Sequence, residues 1–234
     1  MSSDQRELVI IGGGPGGYPA AFLAADLGMN VTLIDERENP GGVCLYQGCI
    51  PTKTLLHAAE IIEEAKSGKK IGISYPDPGI DVDKLRANKE RVVKKMTMGI
   101  GQLAGKRGIE YIRGKARFTG PGSLTVSKEE GGEVSLSFDQ AVIATGSSPA
   151  PFPGIVPESD RIIFSREALE LSDIPESLLV IGGGYIGLEM GTIYAALGTD
   201  VTVAELMDGI LPGADRDLVR VYSRKARSTF KKIM

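Results

Sequence analysis

Cys44 and Cys49 are the only cysteines in the chain, and they stand in the run Gly41-Gly-Val-Cys-Leu-Tyr-Gln-Gly-Cys-Ile-Pro-Thr-Lys53. A lysine follows the second thiol by four positions, and a glycine-rich turn lies just upstream. Thiols beside a turn of the kind that binds dinucleotides indicate redox chemistry. In a regular α-helix, residues five apart have Cα atoms about 8.6 Å apart, whereas a disulfide needs roughly 4.4–6.8 Å. A bridge between these two cysteines therefore requires a distorted helix. Gly48 relaxes the backbone, and Pro51 removes the N–H that would bond back to Gln47. A strained disulfide closing so small a loop should be readily reducible, which suits catalysis better than stability. Cys49 and Lys53 are spaced to share one helix face. Two buried free thiols packed as small hydrophobes are the bland alternative. No metal site is expected, because two cysteines and one histidine cannot supply four zinc ligands.

The elements that must position this run are written twice. Residues 8–35 read LVIIGGGPGGYPAAFLAADLGMNVTLID and residues 178–205 read LLVIGGGYIGLEMGTIYAALGTDVTVAE, aligning without a gap. Each copy runs from a short apolar strand into Gly-x-Gly-x-x-Gly, an alanine-rich helix, and a second strand ending in an acid. Gly12 and Gly182 allow the tight turn, Gly14 and Gly184 let backbone approach a pyrophosphate, and Gly17 and Gly187 let the helix pack on the strand. The helix N-terminus offers N–H groups and a positive dipole to phosphate. Asp35 and Glu205 are placed to accept from ribose hydroxyls. Two such units imply two cofactors: FAD beside the cysteines, and a nicotinamide nucleotide in the second. Glu205 favours NAD, because it would repel a 2′-phosphate and the next residues, Leu206, Met207 and Asp208, include no arginine.

Between the repeats, Thr52 to about Ala65 reads as helix, Ser67–Gly79 as a loop, and Asp81 to about Leu103 as an amphipathic helix. Ile109–Phe118, Ser123–Ser127 and Val134–Phe138 read as strands separated by turns. Ala141–Gly146 reads as a separate buried strand ending in a glycine turn. Pro149–Pro157 is a proline-rich connector, which places a domain boundary near residue 150. The expected class is α/β: two Rossmann-like dinucleotide-binding units, three-layered and mostly parallel, with a small antiparallel β-meander. Residues 1–150 would form a flavin-binding domain with the cysteine pair, and residues 151–234 the beginning of a nucleotide-binding domain.

A composition of 42% hydrophobic residues with a net charge of −3 fits a soluble globular chain large enough to bury a core. Charge is mixed along the sequence, so no nucleic-acid surface is expected, and the basic tail from Arg216 to Lys232 reads as a solvated helix face. No stretch is long and apolar enough to span a membrane. A polar N-terminus leading directly into a strand shows no leader peptide, so a cytoplasmic location is expected.

The motifs GGVCLYQGCIPTK, IGGGPGG, VIATGSSP and IGGGYIGLEMG together resemble the pyridine nucleotide–disulfide oxidoreductases, and specifically their dihydrolipoyl dehydrogenase branch. The resemblance implies that nicotinamide exchanges hydride with flavin, and flavin exchanges electrons with a Cys44–Cys49 disulfide. Cys49 would be the thiolate nearer the flavin and Cys44 would form the mixed disulfide with a lipoyl substrate. Lys53 would stabilise charge near flavin N5, and Glu189 would be its partner at the nicotinamide site, where Tyr185 and Ile186 line the pocket. Asp35, Glu36, Gly42, Thr145 and Gly146 would contact FAD, with Ala116 contributing backbone. The family's general base, a histidine near the C-terminus contributed across a homodimer, has no counterpart here. The one histidine, His57, reads as an ordinary helix residue. The second half of the flavin fold is absent and the second nucleotide unit is unfinished, so the chain resembles the N-terminal half, with an unpaired sheet edge and exposed apolar surface.

Overall fold

The computed structural model describes residues 5–150 and 159–234. They fold as two compact units, residues 5–50 with 91–150 and residues 51–90 with 159–234. Residues 51–90 pack with the second unit although they follow the cysteines directly in the chain.

In the first unit, β1 (Gln5–Ile11) lies between β2 (Val31–Asp35) and β5 (Glu133–Ile143), and β2 pairs onward with β3 (Glu110–Gly120), all in parallel. The run Leu8-Val-Ile-Ile11 has no polar alternation because this sheet is covered on both faces. On one face Leu8, Ile10 and Leu33 pack against Ala21 and Ala24 of helix α1 (Tyr18–Asp26) and against Ala104 at the end of helix α4 (Val82–Lys106). On the other, Val9, Ile34 and Ile112 meet Leu124 and Val126 of β4 (Ser123–Lys128) and Leu136 and Phe138 of β5. Each large aliphatic side chain so buried contributes about 1.5–3 kcal/mol relative to exposure.

The three layers are therefore helix, parallel sheet and antiparallel meander, as expected from the sequence. Two long strands join the last two layers. β3 pairs with β2 through Glu110–Arg113 and then with β4 from Gly114 onward. β5 pairs with β4 through Glu133–Ser137 and with β1 from Ser137 to Ile143, so the ladders close into a ring.

One expectation needs correction here. Val134–Phe138 and Ala141–Gly146 are not separate strands but parts of a single β5 that ends at Ile143. Nor is the second part buried, since Ala141 is exposed and Ile143 is 68% exposed. The reason is pairing: beyond Ser137 the ladder with β4 has ended, and only the β1 side carries a partner. The connector expected over Pro149–Pro157 lies, from residue 151 onward, outside the described residues.

The second unit holds β6 (Ser177–Ile181), β7 (Asp200–Ala204) and β8 (Lys232–Ile233), parallel and in that order. Its core gathers Met190, Ile193 and Tyr194 of α6 (Tyr185–Ala196), Val201 and Val203 of β7, and Val219, Ala226 and Phe230 in and after α7 (Arg216–Thr229). α5 (Ser165–Glu170) adds Ala168 and Leu169. Two buried polar groups find backbone partners: the Tyr194 hydroxyl donates to the Ala168 carbonyl (2.9 Å) and Lys89 Nζ to the Leu169 carbonyl (2.8 Å), whereas the buried Arg86 Nε has no hydrogen-bond partner among the described residues. α7 turns Arg220, Arg224 and Arg227 outward, as expected of a solvated basic face. Among the described residues β6 pairs on one edge only, and its Leu179 and Ile181 are 55% and 62% exposed.

Candidate functional site

Gly12 ends β1 at φ +103°, a left-handed conformation that costs any residue with a Cβ. A Cβ there would also run into the Ala144 carbonyl, because β5 lies alongside and the Ala144 N–H donates to the Ile11 carbonyl (2.8 Å). At Gly17, a Cβ would collide with the Gly12 carbonyl oxygen, so the third glycine lets α1 start directly against the turn. Gly14 is the open position, where a Cβ would meet only the Gly42 Cα at 3.6 Å. The Asp35 carboxylate accepts from the Gly13 N–H (2.6 Å) and the Arg37 N–H (2.9 Å). It thus braces the turn, and a carboxylate has about four acceptor positions, leaving capacity for a ribose hydroxyl. Glu36, next in the chain, is exposed.

The cysteine run begins on that turn. The Gly41 N–H donates to the Gly13 carbonyl (2.7 Å), and Gly42, at φ +58°, sits so near Gly14 that a Cβ would lie 2.5 Å from its Cα. Gly42 opens helix α2 (Gly42–Gln47), which carries Cys44. The helix breaks at Gly48 (φ −145°, ψ −111°), and α3 (Cys49–Ser67) starts with the second cysteine. A Cβ at residue 48 would lie 3.1 Å from the Val43 carbonyl oxygen and 3.5 Å from the Cys44 Cα. The helical distortion that a bridge requires is therefore present, at the glycine expected to supply it. No disulfide joins the two cysteines in the structure; Cys44 is partly buried and Cys49 exposed. Lys53 is exposed one turn along α3, and His57, also exposed, lies 3.7 Å from Glu60. Ala116 pairs with Val126 within the meander, and Thr145 and Gly146 follow the end of β5.

The second unit repeats the geometry. Gly182 has φ +104°, and a Cβ at Gly187 would strike the Gly182 carbonyl and approach Val180 Cγ1 at 2.9 Å. The Glu205 carboxylate accepts from the Gly183 N–H (2.6 Å) and the Met207 N–H (2.9 Å), the same two bonds that Asp35 makes. Those bonds hold the Glu205 carboxyl below its usual pKa, by the Met207 bond first and the Gly183 bond next. A carboxyl lowered on folding stabilises above its unfolded pKa, so the brace holds at neutral pH and is lost as pH falls through the carboxylate range. A Cβ at Gly184 would meet nothing within 4 Å. Tyr185 and Ile186 open α6 and are 70% and 46% exposed, not packed into the helix start, and Glu189 lies one turn further on.

Both turns thus fit a dinucleotide: each has open space at its middle glycine, a helix N-terminus behind it, and a braced acid at the neighbouring strand end. In the first unit the structure brings together Gly12, Gly14, Gly17, Asp35, Gly42 and the Cys44 helix. It brings Gly182, Gly184, Gly187 and Glu205 together in the second. Two features escaped the sequence reading. One is the acid's bond to the turn, which the spacing in the two repeats does not by itself reveal. The other is a cluster around Arg37, to which no motif points.

Comparisons with known proteins agree with this geometry. A family model described as pyridine nucleotide-disulphide oxidoreductase matches residues 6–229. The dihydrolipoyl dehydrogenases of Vibrio parahaemolyticus and Haemophilus influenzae are each 44% identical over 227 residues, 97% of this chain and 48% of theirs. The solved copper(II) complex of the HOCl-induced flavoprotein disulfide reductase RclA from Escherichia coli superposes with a TM-score of 0.80 at 30% identity, over 98% of this chain and 49% of that one. The chain spans about half the length of the relatives it matches. Among the described residues no helix is long and apolar enough to cross a membrane. On the family match and these identities, the chain belongs to the pyridine nucleotide–disulphide oxidoreductase family.

Proposed function

We propose that this chain carries the redox-disulfide half of an FAD- and NAD-dependent dihydrolipoyl dehydrogenase, acting on a lipoyl-bearing substrate and homodimeric when the rest of the enzyme is present. The observation that carries this reading is the seating of the Cys44 helix on the first dinucleotide turn, through Gly42 on Gly14, with the helix broken at Gly48 before Cys49. In the forward direction dihydrolipoamide and NAD⁺ become lipoamide, NADH and a proton. A substrate thiolate attacks Cys44 Sγ of the disulfide, and Cys49 leaves as thiolate. The second substrate thiolate then displaces Cys44, releasing the cyclic disulfide and leaving both cysteines reduced. FAD, held in the first unit, would supply the electron-transfer chemistry between the reduced cysteines and NAD⁺. Gly12, Gly14, Gly17, Asp35, Glu36 and Gly42 would hold the flavin nucleotide, with Thr145, Gly146 and the Ala116 backbone. Gly182, Gly184, Gly187 and Glu205 would hold NAD, with Tyr185 and Ile186 beside the nicotinamide. Lys53 would stabilise the negative charge that develops on the reduced flavin, with Glu189 as its partner.

The test is the absorbance spectrum of the purified chain, incubated with FAD and then given one equivalent of dithiothreitol. Flavin bands that gain a long-wavelength charge-transfer shoulder are expected, and a shoulder that survives Cys49→Ser would overturn the reading. A chain that stays colourless would remove the flavin site from it.

Glu205 provides a second test. Replacing it with glycine and Leu206 with arginine removes a repelling charge and adds a phosphate partner, an exchange of about 1.5–3 kcal/mol for one charge-assisted bond. The ratio of NADP to NAD affinity, measured by titration, is expected to rise about tenfold or more. An unchanged ratio would show that the acid does not face the ribose.

A further inference from the structure

Two residues between the cysteines are held by a side chain that nothing in the redox chemistry calls for. Arg37 lies in the loop between β2 and α2. Its guanidinium carbon stands 4.5 Å above the Tyr46 ring, and Nη2 donates to Gln47 Oε1 at 3.2 Å. Tyr46 and Gln47 are the last two residues of α2, between Cys44 and the Gly48 break. The Tyr46 hydroxyl donates to the Asn39 carbonyl (3.0 Å), closing the loop onto the helix from the other side. The loop itself is anchored: the Arg37 N–H donates to Asp35, the Tyr111 hydroxyl to the Arg37 carbonyl (2.9 Å), and Arg113 Nε to the Glu36 carbonyl (3.1 Å). Burial first, and the Asp35 charge second, keep the Tyr111 hydroxyl protonated and therefore a donor.

A helix of six residues has little stability of its own, so its place is set by its ends. Gly42 against Gly14 fixes the first end and the Arg37 cluster the second. Beyond lies Gly48, where the backbone turns into α3. A guanidinium suits this position because its planar face stacks on the ring while its edge donates, and cation–π contact and bond act on the same group.

We infer that Arg37 is a positioning residue for the redox pair: by clamping Tyr46 and Gln47 it fixes the end of α2 and holds Cys44 within reach of Cys49, so that it sets the thiol–disulfide equilibrium of the pair. The inference rests on the redox-pair reading of Cys44 and Cys49. It also ties that equilibrium to the nucleotide side of the fold, since the Asp35 carboxylate that braces the glycine turn is bonded to the Arg37 N–H as well.

The test equilibrates the whole chain with mixtures of reduced and oxidised glutathione and counts the oxidised pair by mass after alkylation. Two protein thiols and one glutathione disulfide give one protein disulfide and two glutathiones, so the equilibrium constant measures how well the fold presents the two sulfurs. For Arg37→Ala and Tyr46→Leu, this constant is expected to fall about 3- to 10-fold. Arg37→Lys keeps the charge over the ring but not the fork, and is expected to fall between these variants and the wild type. Tyr46→Phe keeps the stacking surface and is expected to stay within about twofold of wild type. The lysine and phenylalanine variants keep the readout available if alanine disturbs the fold, and far-ultraviolet circular dichroism monitors that. A wild-type pair that closes, with all four variants equal to it, overturns the inference and leaves the redox pair standing. A wild-type pair that never closes at any glutathione ratio overturns the redox-pair reading itself.

Discussion

Serine at Cys44 is expected to lower disulfide exchange with a lipoyl substrate by roughly 10⁴-fold or more, because a hydroxyl is neither an electrophilic sulfur nor a thiolate leaving group. Serine at Cys49 is expected to do the same by removing the other half of the bridge. Their spectra should differ. With Cys44→Ser the Cys49 thiol remains, so a charge-transfer shoulder in flavin-loaded protein should persist; with Cys49→Ser it should vanish. The asymmetry follows from the proposed roles, Cys49 beside the flavin and Cys44 exchanging with the substrate. Stopped-flow exchange with lipoamide and a spectral titration check both statements. Wild-type exchange rates in either variant would remove these cysteines from the chemistry.

Alanine at Gly17 is expected to cost the first unit about 3 kcal/mol or more, which is a large share of the 5–15 kcal/mol that holds a typical domain folded. The added methyl would collide with the Gly12 carbonyl oxygen and lie 3.4 Å from Ile10 Cγ2. Neither neighbour can yield: one is backbone of a turn pinned by Asp35, the other a fully buried strand residue. Two other glycines serve as controls. At Gly16 a Cβ would make an ordinary 3.6 Å contact with Ala144 Cβ, so alanine there should leave stability nearly unchanged. At Gly184 a Cβ meets nothing, so alanine should leave folding intact and weaken nucleotide binding by filling the approach. Urea unfolding, followed by circular dichroism, separates these outcomes. A Gly17→Ala chain as stable as wild type would mean the turn relaxes in a way this packing forbids.

Much of this was readable in the sequence because it rests on local backbone requirements. A left-handed Gly12, a helix beginning against a turn at Gly17, and a break at Gly48 each demand a residue type at a fixed position. The repeat at 178–205 shows the same demands a second time. The apolar run Leu8–Ile11 announces a strand covered on both faces, and Leu8 and Ile10 on one side with Val9 on the other are where those coverings meet it.

Where the sequence reading failed, the cause was pairing between distant segments. Asp139 and Gln140 look like a boundary between two strands, but β1 and β4 hold opposite ends of one continuous β5, and that ladder carries the chain through the polar residues. The exposure of Ile143 has the same origin, since apolar composition implies burial only where a neighbour exists to provide it.

The sequence by itself determined the cysteine pair, the two glycine turns and their acids, because each is a short-range constraint of φ, spacing and residue chemistry. Only the tertiary structure decided that Gly42 meets Gly14, that Asp35 and Glu205 brace their turns, and that Arg37 clamps the end of α2. Those contacts join segments separated by loops and strands. Their partners are set by how the sheet brings chain ends together, a geometry that no local pattern encodes.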